Sequence, residues 1–317
     1  RLVPGAGGGL AGEDPEGEPG MIRRRDLARL TALAAAAPCG ALAGAHAKGR
    51  ITLERLRSAH VPGEVPVGFY LPPAYEAKPA RPYPLLLLLH GGDGSEKDLA
   101  RFADVVDAAI AEGRIAPLVI ATPGARRSLY MNYRDGSERW ESFLLNELLP
   151  HLRATLPVAA SREGAFVGGW SMGGLGALRL AFKHPKTFGA VAAMEPAVEP
   201  ALAWSEIGAK VKVWRDDSIY ERVFGAPVDQ DYWAANNPAT IAKADPRRLI
   251  DLGVYLEVGD QDMLHLAHGV EFLHRVMWDH GVPHEYRLVR GADHREGAAL
   301  KLAHGDDEVD QRHHQQQ

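Results

Sequence analysis

The chain carries one cysteine, Cys39, in 317 residues, so no disulfide can form within it. It has no apolar run long enough to span a bilayer, which excludes stable membrane insertion as an expectation. It also lacks a block of like charge. Its 36 basic and 41 acidic residues are mixed along the chain and leave a net charge of −5. A nucleic-acid partner would call for a clustered basic face, and none is present. No G-x-x-x-x-G-K-[ST] loop is found, which argues against phosphoryl transfer. His90, Asp93, Asp293 and His294 could be imagined around a metal, but these histidines have no H-x-H or H-x-x-x-H spacing. No metal and no cofactor are therefore expected.

What is present begins with an unusual leader. Residues 1–20 are rich in glycine, proline and acidic side chains and hold too little apolar surface to fold, so disorder is expected. From Met21 a basic stretch (Arg23, Arg24, Arg25) precedes an Ala/Leu-rich segment and an A-x-A ending at Ala45-His46-Ala47. This pattern predicts a signal peptide over 21–47, with a twin-arginine hint, and hence a secreted or periplasmic protein. Pro38 before Cys39 argues against lipid attachment. The segment 306–317 is expected to be a disordered tail.

With 46% hydrophobic and 24% charged residues, the remainder can build one sizeable core. Short apolar runs at 64–72, 83–92, 116–124, 164–171, 188–196, 252–260 and 284–291 read as strands. Several lack alternation, as expected of strands buried on both faces of a parallel sheet; the five leucines 85–89 are the extreme case. Helical spacing at 95–113, with Ser95 as N-cap, at 138–156 and at 262–281 alternates with them. The expected architecture is α/β, with a mostly parallel central sheet and helices on both faces over 48–305. Residues 200–246, with Trp204, Trp214, Tyr232 and Trp233, break the alternation and read as a cap-like insertion.

The stretch Gly168–Pro185 contains Gly169-Trp170-Ser171-Met172-Gly173, a G-x-S-x-G placed between a strand and a helix. That context predicts a nucleophile elbow. The serine must take a strained positive φ, and side chains two positions to either side would strike the neighbouring strand and helix. Its hydroxyl then stands at a helix N-terminus, where backbone amides and the helix dipole favour developing negative charge.

Such a serine needs a base and an acid in the order Ser…Asp/Glu…His. His294 follows the last expected strand, at the strand end where ligands collect in open α/β sheets. His90 also ends a strand, but it precedes Gly91-Gly92 and better suits loop architecture. His265, His268, His274 and His280 fall on an expected helix. The acid should follow the strand before His294; Asp260 and Asp262 both qualify, and Asp262 is preferred. The aspartate not used would cap a helix beginning near 263. The oxyanion hole would take the amides of Met172 and Gly92, the latter in the loop His90–Glu96, where Gly91 and Gly92 let the backbone approach closely. Tyr130, Tyr133, Trp170 and Trp233 are candidate pocket walls.

The stretches LLLLLHGGDGSEKDL, GGWSMGGLGALRLAFKHPKTFGAVAAMEPA and LVRGADH together resemble the esterase-D-like group of α/β-hydrolases. Segments 128–158 and 223–242 are similar to the same group, so the resemblance covers roughly 65–305. It implies serine ester hydrolysis through Ser171, Asp262 and His294, on a small-molecule or polymer-linked ester such as a feruloyl or acetyl ester. An acyltransferase of the same fold, or a non-catalytic carbohydrate- or envelope-binding protein on this scaffold, stays open, as does the oligomeric state.

Overall fold

The computed structural model describes residues 47–208 and 217–294, which belong to one compact unit. The expected leader up to His46, Trp214 and the expected tail lie outside the described residues.

Eight strands form one sheet: β1 (Arg50–Arg57), β2 (Glu64–Leu71), β3 (Leu85–Leu89), β4 (Val119–Pro123), β5 (Ala165–Trp170), β6 (Ala190–Met194), β7 (Gly253–Gly259) and β8 (Glu285–Val289). Their order is β1-β2-β4-β3-β5-β6-β7-β8. β1 pairs antiparallel with β2, and β2 with β4; every other pairing is parallel. All seven strands expected from the apolar runs are there. β1 is the one that was missed. Its sequence RITLERLR lies at the edge of the sheet and leaves Leu53 58% exposed, so it offers none of the apolar signal of a buried strand. The brief Ile51/Leu53 alternation was the available sign.

The helices are α1 (Leu99–Ala111), α2 (Trp140–Phe143, a wide π turn over Leu144–Leu148, then Leu149–Thr155), α3 (Met172–Lys183), α4 (Asp217–Phe224), α5 (Gln230–Ala235), α6 (Pro238–Ala244) and α7 (Ala267–Asp279). Ser95 caps a single 3-10 turn that leads into α1, accepting the N–H of Lys97. α7 starts later than expected. The carboxylate of Asp262 takes the N–H groups of Leu264 and Leu266 and holds that stretch as a loop, leaving His265 before the helix rather than on it.

The leucine run shows how the sheet sorts its side chains. Leu85, Leu87 and Leu89 join the large core cluster, while Leu88 joins a small one with Tyr70, Leu99 and Ile120 beneath α1. Burial on both faces removes the alternation that an exposed face would impose. β3 is flanked by β4 and β5, so the order reverses there, and a crevice opens at the carboxyl ends of β3 and β5. Among the described residues, no helix is long and apolar enough to cross a membrane.

Candidate active site

Ser171 closes β5 and opens α3 with φ 55° and ψ −117°, outside the regions open to ordinary L-residues. The strained turn is pinned from several sides. Ser171 N–H donates to Met194 O at 3.0 Å, and Ser171 O accepts the N–H groups of Leu175 and Ala197 at 3.0 and 3.1 Å. A serine at a helix N-cap usually bonds the first turn with its side chain. Here it makes no such bond, so the hydroxyl is left for other work.

The glycines around it are required by close approach. A Cβ on Gly169 would sit 2.4 Å from the carbonyl group of Gly173, and one on Gly173 would sit 2.0 Å from Leu89 O. Strand, turn and helix are packed to the limit that backbone atoms allow. The loop after β3 is different. A Cβ on Gly91 would meet nothing nearer than 3.6 Å, and one on Gly92 nothing nearer than 3.8 Å. The close approach expected at these two glycines is therefore not to other protein atoms; it is Gly94 that is tight there, where a Cβ would sit 2.1 Å from Asp98 Oδ2.

His90 organises that loop. Its Nδ1 lies 2.7 Å from Gly91 O and its Nε2 accepts the N–H of Ala125 at 2.9 Å, which sets the proton on Nδ1. Burial pushes its pKa below the usual histidine value, in keeping with a neutral ring.

His294 follows β8, and its Nδ1 lies 3.5 Å from Asp262 Oδ2. The Asp262 side chain is fully buried, and its Oδ1 and Oδ2 accept the N–H groups of Leu264 and Leu266 at 2.7 and 3.2 Å. Asp260 is turned to other duty: its Oδ1 accepts the N–H of Gly291 at 2.7 Å and ties the ends of β7 and β8 together. His294 Nδ1 itself is buried without an aligned hydrogen-bond partner. The indole of Trp170 lies beside the imidazole, ring centres 5.5 Å apart.

Ser171, His294, Met172, Gly91, Gly92 and Trp170 line one cleft of about 490 Å³ at the reversal of strand order. Three of the four expected wall residues do not reach it. Tyr130 is 1% exposed, donates its hydroxyl to His90 O at 3.1 Å and fills the space over Gly176. Tyr133 and Trp233 are buried in the main core, Trp233 against Trp204. Aromatic side chains signal a pocket and a core equally well in sequence, and burial decided for the core. The cleft is walled instead by Leu129, Ile219, Tyr220, Met263 and Leu264, of which Ile219 and Tyr220 come from the segment between β6 and β7. Leu129 has φ 52° and its carbonyl accepts from the buried guanidinium of Arg179, which no local pattern would announce.

A further acid escaped notice. Glu195 follows β6 with φ 47° and is 1% exposed. Its Oε1 accepts the N–H of Gly259 at 2.7 Å, while Oε2 is buried with no hydrogen-bond partner. One ligand atom each from Glu195, Asp262 and His294 lies within 4.8 Å of the others, a spacing that could also suit a cation. The strand-end position of Glu195 in AAMEP was the signal available.

Comparison with known proteins supplies the family and the fold. The model of the family described as "Putative esterase" matches residues 58–298. An esterase of Mycobacterium tuberculosis is 31% identical over 200 residues, covering 60% of this chain and 42% of that protein. An acetyl esterase of Caldicellulosiruptor saccharolyticus is 31% identical over 144 residues, covering 44% of this chain and 51% of that protein. The chain thus spans about half the length, or less, of these relatives. Among solved structures, a ferulic acid esterase superposes with a TM-score of 0.63 at 24% identity, covering 78% of this chain and 92% of the other. An S-formylglutathione hydrolase from Agrobacterium tumefaciens gives 0.63 at 20% identity, covering 79% and 90%. With the family model spanning well over half its length and this sheet order behind the elbow, the chain belongs to the "Putative esterase" family and has the α/β-hydrolase fold.

Proposed function

We propose that the protein is a serine carboxylic ester hydrolase. The observation that carries the reading is Ser171 held at positive φ on a strand-to-helix turn, in the same cleft as a histidine whose far nitrogen faces a buried aspartate. In the reaction, His294 takes the proton of Ser171 as its oxygen attacks the ester carbonyl. Asp262 holds the imidazole and stabilises its positive charge. The amides of Met172 and Gly92 receive the oxyanion, and the N-terminus of α3 adds its dipole. The alcohol leaves with the proton from His294, and water activated by the same ring then releases the acid. A fluorophosphonate probe should add to Ser171, read by peptide mass spectrometry, and block hydrolysis of short p-nitrophenyl esters in step. Labelling at another residue, or hydrolysis that survives full labelling, would overturn the reading.

The acyl group has a place to go. A second, more enclosed cavity of about 160 Å³ shares Gly91 and Trp170 with the cleft and is lined by Leu88, Leu99, Phe102 and Thr122. That volume suits a short chain or a single ring, since a cavity of about 150 Å³ accepts benzene. In a p-nitrophenyl ester series, kcat/KM is expected to peak at acyl groups of about four to six carbons. Phe102→Ala should move the peak longer by two or three carbons, each added CH2 gaining up to ~0.8 kcal/mol or about fourfold. An unmoved optimum would place the acyl group elsewhere.

The leader motif supports export, and the family relatives support ester substrates that are small or polymer-linked. Cell fractionation of the full chain tests the first: retention in the cytoplasm with residues 1–47 still attached would refute it.

A further inference from the structure

The mechanism above leaves one buried acid unused. Glu195 reaches from the end of β6 to the point where Asp262 and His294 meet, with a ligand atom of each within 4.8 Å. Two carboxyl groups and an imidazole enclosed together cannot all be charged without cost. Two of the polar atoms there also want partners: Glu195 Oε2 and His294 Nδ1 are both buried without an aligned hydrogen-bond partner. A proton on Oε2 turns that oxygen from an orphaned acceptor into a donor, and the Asp262 carboxylate, with an oxygen within 4.8 Å of the Glu195 carboxyl, is an acceptor of the right kind. The backbone accepts strain to bring it there, since Glu195 sits at φ 47° and its N–H is bonded to Glu257 O at 2.8 Å.

We propose that Glu195 is a positioning residue for the Asp262–His294 pair, its carboxyl group serving as a neutral acid that donates a hydrogen bond to the Asp262 carboxylate. This rests on the reading of Ser171, Asp262 and His294 as a catalytic triad. With Leu264 and Leu266 donating from one side and Glu195 from the other, the Asp262 carboxylate would be fixed for His294 in a site that carries one negative charge instead of two.

The surroundings favour the neutral form. Burial pushes the Glu195 carboxyl up to about 8, against the pull of the Gly259 N–H, and the nearby acids Asp262, Glu257 and Asp293 push the same way. His294, with a ring nitrogen within 4.8 Å of the Glu195 carboxyl, faces it as well. Above about pH 8 Glu195 would ionise, two carboxylates would repel, and the donor to Asp262 would be lost.

The test compares the wild type with Glu195→Gln, which keeps the shape and a donor but cannot ionise, and Glu195→Leu, which keeps the volume and loses the donor. At pH 6.5 the Gln variant should hold kcat/KM within about threefold, while the Leu variant loses about tenfold in kcat with KM unchanged. Wild-type kcat/KM should fall above about pH 8, and that alkaline limb should vanish in Glu195→Gln. Identical pH profiles, or a Leu variant as active as Gln, would overturn the proposal.

Thermal unfolding gives a readout independent of the triad. The folded pKa of Glu195 lies above its unfolded value, so its stabilising contribution is full below about pH 4.3 and is lost as pH rises toward about 8. Relative to wild type, Glu195→Gln should therefore gain roughly 7–14 °C in Tm on going from pH 5 to pH 8. A Tm difference constant with pH would overturn the neutral acid, whatever the kinetics. If instead Ser171→Ala and His294→Gln retained activity while the Tm series behaved as expected, the triad reading would fail and the buried acid would stand. A Tm rise on adding zinc, seen in wild type and absent in Glu195→Gln, would assign the cluster to a cation and overturn the proposal.

Discussion

Ser171→Ala should lower kcat by about 10⁶-fold, with KM and Tm nearly unchanged. The magnitude is that of removing the nucleophile from a serine–histidine–aspartate unit, whose members act together so that losing one disables the rest. The selectivity for kcat follows from the structure. The Ser171 side chain makes no helix-cap bond, so its removal costs no folding interaction. Alanine tolerates φ 55° no better and no worse than serine, so the strain stays. Ser171→Gly adds a useful contrast: it should be equally inactive yet more stable by about 1 kcal/mol, because glycine adopts positive φ without strain. Steady-state kinetics on a p-nitrophenyl ester, with Tm by calorimetry, measures both. A hundredfold loss or less would mean that another group carries the chemistry.

Gly173→Ala is expected to be a severely damaging single-methyl change. A Cβ there would stand 2.0 Å from Leu89 O and 2.5 Å from Leu89 C, and backbone at the end of a central strand cannot move aside as a side chain can. Either β3 and α3 separate or the elbow unwinds. A loss of at least ~3 kcal/mol follows, which lowers Tm by about 6–12 °C in a domain of this size, and esterase activity should fall with it. Gly92→Ala serves as the internal contrast. Its Cβ would meet nothing nearer than 3.8 Å, so Tm should change by less than about 2 °C, and any effect should appear in kcat through the oxyanion contact. Equal Tm values for Gly173→Ala and wild type would refute the steric account of the elbow.

Both expectations rest on a stretch that could be read from the chain. The elbow was legible because G-x-S-x-G encodes a local geometry. The strained serine and the tight glycines both follow from five consecutive residues, and Gly169 and Gly173 are as tight as that motif requires. The strand run 85–89 was legible for a similar reason: burial on both faces leaves a continuous apolar stretch. β1 was not, because an exposed edge strand tolerates Arg and Glu at most positions and its pairing with β2 supplies what its side chains do not.

The pocket walls were the least legible part. Tyr130 and Trp170 are both aromatic and both near glycines, yet one holds up the His90 carbonyl from below and the other faces His294. What separates them is which side of the chain the fold turns inward, and that depends on contacts far away in sequence. Glu195 makes the same point for charge. It lies 67 residues before Asp262 and 99 before His294, with only its place at a strand end to mark it.

The sequence by itself determined the order of elements, the two-sided burial of the central strands and the strained turn at Ser171. Each of these is a short-range property, carried by hydrophobic pattern or by the absence of a Cβ. Only the tertiary structure decided that Asp262 rather than Asp260 meets His294, that Glu195 joins them, and that Ile219 and Tyr220 reach the cleft. Those choices depend on the ends of β6, β7 and β8 lying side by side in the sheet, and adjacency between strands is set by packing the whole core at once.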